Sequence, residues 1–74
     1  MNARISRAFL FRIHAELRKS DNLLARSAAR DLCAVSVFCD EPFVFTVSGL
    51  ERVIHVLGIC STPEAGQLIK EILG

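Results

Sequence analysis

Seventy-four residues, 51% of them hydrophobic and 23% charged, with a formal net charge of +1, allow one domain spanning 1–74 and leave no room for a second. A chain this short buries only about 60% of the surface its unfolded form exposes, so some of this apolar material is expected to face a partner or a second copy. Charged residues recur from Arg4 to Lys70, which excludes the roughly 20 uninterrupted apolar residues of a membrane span.

In chain order, Arg4, Arg7 and Arg12 precede the first acid, Glu16, a pattern faintly like an organellar transit peptide. Residues 9–13 are too short and too basic for a secretory core, and the segment reads as part of the fold. From 9 to 18 the odd positions are Phe9, Phe11, Ile13, Ala15 and Leu17, and after Leu10 the even ones are Arg12, His14, Glu16 and Arg18, which predicts a half-buried strand. A helix competes, but it would place Arg12 and Glu16 inside the apolar arc. Ser20 or Asp21 then caps a predicted helix with Leu24, Ala25, Ala28, Ala29 and Leu32 inward and Arg26 and Arg30 outward.

The runs 33–39 and 43–48, rich in Val and Phe and joined by Asp40, Glu41 and Pro42, predict a β-hairpin. Residues 49–59 read as a further strand on β-branched content. Helix signals compete there: Ser48 and Glu51 have capping-box spacing and Gly58 suits a residue just past a helix end. Ser61, Thr62, Pro63 and Glu64 open a final helix, with Ser61 and Glu64 in capping-box register, Pro63 in the first turn, and Ala65, Leu68, Ile69 and Ile72 inward. The expected fold is α+β, in the order β-α-β-β-(β)-α, with an antiparallel or mixed sheet carrying both helices on one face. Its open face would show Arg12, His14 and Phe38 among apolar neighbours, a surface suited to a partner or a homodimer.

Charge is unevenly spread. Residues 1–30 hold seven basic and two acidic side chains (+5), and residues 31–74 hold two basic and six acidic ones (−4). A basic patch attracts acidic proteins or phosphates over about 8 Å at physiological salt.

Few groups point to chemistry. The odd count of three cysteines, Cys33, Cys39 and Cys60, argues against a disulfide framework and for a reducing cytoplasm. With His14 and His55 they are the only soft metal ligands, and they lack the close pairing of a zinc site. Cys60 lies beside a helix start but has no base delivered to it, Asp40 and Glu41 sit in an expected exposed turn, and the glycines stand singly, so no phosphate loop is formed. No metal, cofactor or enzymatic activity is expected.

Two functional readings remain. The first is a small non-enzymatic protein-interaction module of the kind that bacterial or phage inhibitors and regulators exemplify, with Arg12, His14, Arg26, Arg30 and Phe38 as partner-binding residues. The excess of arginine over lysine, seven to two, hints at a GC-rich bacterial or phage genome. The second is nucleic-acid binding, through an RNA-stacking sheet with Arg12, Arg18, Lys19, Arg26 and Arg30. If 49–57 is helical, Leu57, Gly58, Ile59 and the final helix are similar instead to a helix-turn-helix, although Glu64 stands where an apolar residue is wanted.

Overall fold

Leu10, Ile13, Glu16 and Leu17 are buried while Phe11 and Ala15 are exposed, a spacing of three and four that belongs to a helix. In the computed structural model, which describes residues 3–74, this segment is α1 (Arg7–Lys19), capped by Ser6, whose hydroxyl accepts a hydrogen bond from the Phe9 amide. The expected strand over 9–18 is therefore a helix. The two polar residues that counted against one have partners: Arg12 reaches Glu64 and Glu71, and Glu16 reaches Thr62.

The next helix, α2 (Leu23–Phe38), starts at Asn22, whose side chain accepts from the Leu24 and Ala25 amides. It buries Ala25, Ala29, Leu32 and Ser36. Its first half follows the expectation, shifted by one or two residues at the cap and with Leu24 outside. Its second half absorbs residues 33–38, the expected first arm of a hairpin. The Val and Phe content there favours strand only where a sheet exists to receive it. Here Ser36 falls one turn beyond Leu32 on the packed face, and its hydroxyl donates back to the Cys33 carbonyl.

Two short strands, β1 (Ala3–Ile5) and β2 (Phe43–Phe45), form an antiparallel ladder with Ala3 opposite Phe45, Arg4 opposite Val44 and Ile5 opposite Phe43. They are the only strands among the described residues. Phe43–Phe45 is a strand as expected, but its partner is the N-terminal segment.

Thr46 caps α3 (Val47–Cys60) by accepting from the Gly49 amide, and Leu50, Val53, Val56 and Leu57 are buried. The strand expected over 49–59 is thus also a helix, and Gly58 lies inside it. The backbone turns left-handed three residues later, at Ser61 (φ 53°, ψ 34°). Thr62 caps α4 (Pro63–Leu73), with Pro63 in the first turn, Ala65 and Leu68 buried and Ile69 and Ile72 half-buried. The order is β-α-α-β-α-α, so the α+β sheet with two helices on one face is replaced by four helices and a two-stranded ribbon. The open sheet face offered for dimerisation goes with it.

α1 and α3 each touch the other three helices, and α3 touches β2 as well. Leu10, Ile13 and Leu17 meet Leu57, Leu68 and Phe43 in the core. A polar clasp joins the start of α1 to the end of α2. The Glu41 carboxylate accepts from the Arg7 amide at 2.5 Å, and the Arg7 guanidinium donates to the Ser36 carbonyl at 2.7 Å. α2 has no basic residue in its own last turn, so Arg7 supplies the cation that its carbonyl end favours. The same guanidinium lies 5.2 Å from the Phe43 ring centroid.

Candidate functional site

At 100° per residue, Leu23, Arg26, Arg30 and Val37 fall within one narrow stripe of α2, with Phe38 on its flank. Ala25, Ala29, Leu32 and Ser36, centred about 120° further round the helix, are buried. The stripe therefore faces away from the core. Its apolar members are well exposed: Leu23 at 80%, Val37 at 69% and Phe38 at 85%. Among the described residues, neither Arg26 nor Arg30 has an ion-pair partner. Two arginines a helical turn apart, bracketed by apolar side chains, make a face that offers charge in the middle and apolar contact at both ends.

Beside this face runs a groove that lies between α2 and α3 over most of its length and between the end of α2 and β2 at its far end. It is a succession of three hollows of about 350, 140 and 330 Å³. The first two share Ala28, Asp31 and Arg52, and the last two share Val35, Phe45 and Gly49. Leu24 and His55 line one end, and Cys39 and Val44 the other. Over the fifteen residues from Leu24 to Phe38, α2 rises about 22 Å, which sets the groove's length. Its wall on α2 carries Asp31 and its wall on α3 carries Arg52 and His55.

The five residues expected to bind a partner do not converge. Arg26, Arg30 and Phe38 share the outer side of α2. Arg12 lies on α1 and donates to Glu71 at 2.8 and 3.0 Å and to Glu64 at 3.1 Å, so its charge is committed to α4. These hydrogen bonds, to Glu71 first and Glu64 second, hold the guanidinium further from deprotonation, and the Glu71 carboxyl lies below its ordinary range for the same reason. His14 is half-buried on α1. Lys19, a candidate phosphate contact, lies 3.5 Å from Glu16.

Leu23, Val37, Asp31 and Arg52 belong to the two surfaces and were not singled out from sequence. A helical wheel continued through residue 38 would have placed Leu23 and Val37 beside the arginines. Of the cysteines, Cys33 and Cys39 are exposed and Cys60 half-buried, none in a disulfide. No group of three metal-ligating side chains forms among the described residues. His55 and Cys60 lie on α3 about 140° apart around the helix. No family model, curated protein or solved structure matches the chain.

Proposed function

We propose that the chain is a non-enzymatic protein-interaction module, of the inhibitor or regulator type, that binds an acidic protein target through the outer face of α2. The observation that carries this reading is the pairing of Arg26 and Arg30, without ion-pair partners among the described residues, with exposed Leu23, Val37 and Phe38 on a single helix. Aromatic and arginine side chains dominate binding energy at protein interfaces when a partner desolvates them. A second copy is the poorer occupant. A two-fold axis through the middle of α2 would bring Arg30 towards its own symmetry mate, and like charges facing each other oppose association. Exposed thiols at Cys33 and Cys39 suit a reducing, cytoplasmic setting. No described helix is long and apolar enough to cross a membrane.

The test is capture from a bacterial lysate on tagged protein, with and without nuclease, eluted in steps of salt. A protein retained by the wild type and lost by Arg26→Glu/Arg30→Glu and by Phe38→Asp supports the reading. Equal retention by all three proteins overturns it.

A second reading draws on one observation: residues 49–57 are helical, and α3 meets α4 across Ser61 and Thr62. This is the condition for a helix-turn-helix, although Gly58 lies within α3 and not in the turn. The second helix carries Glu64 and Glu71, both paired with Arg12, a poor face for phosphates. Nuclease-sensitive capture of nucleic acid that falls steeply with salt would favour this reading over the first.

A further inference from the structure

We infer that the groove between α2 and α3 is a second docking site, built for one face of an amphipathic helix from a protein partner. The inference rests on the reading of the chain as a protein-interaction module and adds a second surface to it. The hollows of about 350, 140 and 330 Å³ are lined on the α2 side by Leu24 to Asp31, Ala28 to Val35, and Val35 to Cys39 in turn, so each begins one or two turns of helix beyond the last. Such intervals match side chains spaced by i+3 or i+4, and by i+7, on a docked helix. Each hollow is of a size for one or two apolar side chains and none could swallow a helix whole, so the occupant lies along the groove and inserts a stripe. Leu24 (61% exposed) and Val44 (59% exposed) bracket it, leaving apolar surface at both ends for the stripe to cover.

Charge fixes which helix fits. Arg52 and His55, three residues apart on α3, line one wall, and Asp31 lines the other. None of the three forms an ion pair with another described residue. Arg52 and Asp31 both line the first two hollows yet do not pair with each other. A helix seated between them meets both walls if it carries an acidic residue on the flank towards α3 and a basic one on the flank towards α2.

The experiment is a phage-displayed library of random 16-residue peptides selected on the full chain, with enriched peptides synthesised and measured by fluorescence anisotropy. The expected winners have an apolar stripe of helical period with Asp or Glu on one flank, and gain helical circular dichroism on binding. They should weaken about tenfold or more on Arg52→Glu, and a peptide whose acid is changed to Lys should regain affinity for that variant. Ser27→Trp, an exposed change at the His55 end of the groove, should also block binding.

Failure to enrich any peptide, enrichment of extended or carboxylate-free peptides, or indifference to both Arg52→Glu and Ser27→Trp would overturn the inference. The Arg26→Glu/Arg30→Glu variant separates the two surfaces. Peptides that bind it normally but fail on Arg52→Glu place the site in the groove. Peptides that fail on it alone belong to the outer face of α2, which leaves the proposed function standing without the groove.

Discussion

The buried carboxylate of Glu16 accepts a hydrogen bond of 2.5 Å from the hydroxyl of Thr62, which in turn accepts one of 3.1 Å from the Ala65 amide. The group that starts α4 is therefore held in place by a charge on α1, and Glu16 is only 4% exposed. Thr62→Ala removes a helix cap and a partner of a buried carboxylate together. It should cost about 2–3 kcal/mol, read as a lower midpoint in urea denaturation, whereas Thr62→Ser should stay within about 1 kcal/mol of wild type.

The Arg12–Glu71 pair gives a pH signature. Hydrogen bonding to Arg12 lowers the folded pKa of Glu71, so the unfolded chain binds more protons at this site than the folded one. Stability from the pair is complete above the ordinary carboxylate value and is lost as pH falls through the folded value. The melting temperature of wild type should exceed that of Glu71→Gln at neutral pH, with the gap closing in acid. Both groups lie at the surface, so added salt should shrink the gap as well.

Glycine and serine stand in each other's natural places at the end of α3. Gly58 is helical, with nothing within 4 Å of where a Cβ would lie, so Gly58→Ala should stabilise by about 0.5–1 kcal/mol. Ser61 occupies the left-handed region, which costs an L-residue about 1–2 kcal/mol. Ser61→Gly relieves that cost, loses the hydrogen bond from the Ser61 hydroxyl to the Gly58 carbonyl, and frees the unfolded chain by about 0.4–1 kcal/mol. These nearly cancel, so Ser61→Gly should stay within about 1 kcal/mol of wild type. Thermal melts should show a clear gain for Gly58→Ala and a small change for Ser61→Gly, and the double variant reads out any coupling through the shared hydrogen bond.

Arg7 serves three elements at once: its guanidinium caps the end of α2 and lies over Phe43, and its amide binds Glu41. Arg7→Ala should cost about 2 kcal/mol. Arg7→Lys should recover only part of this, because an ammonium lacks the planar fork. Hydrogen exchange would locate the damage at the last turn of α2 and in β2 rather than in α4.

The parts of the fold legible in sequence are those whose signals are local. Asn22 aside, the start and stripe of α2 (Ala25, Ala29, Leu32) can be read from caps and period, and so can α4, although Thr62 and not Ser61 caps it. The misread segments turn on distant partners. Arg12 and Glu16 argue against a helix over 9–18 until Glu71 and Thr62, 59 and 46 residues away, are brought alongside. In 33–38, β-favouring residues extend a helix because no neighbouring strand competes for them. In 49–59 the helical signals were present at Leu50, Val53 and Leu57, and β-branched content outweighed them. The outer face of α2 was half legible, through Arg26 and Arg30. The groove was not, because Asp31 and Arg52 become neighbours only when α2 and α3 pack.

The ladder between β1 and β2 and the bridge from Arg12 to Glu71 tie the first part of the chain to residues made much later, so the order of synthesis matters. During translation, residues 3–19 emerge before most of their partners exist. At about 5–20 residues per second, the 59 positions separating Arg12 from Glu71 take about 3–12 s to make. Until β2 and α3 have been made, Leu10, Ile13 and Leu17 have only the neighbouring α2 to shelter against, with its small alanines offering a close but narrow seat. A chain that folded as it emerged would hold α1 against α2 with one apolar flank open, and α3 and α4, made last, are the elements that close it.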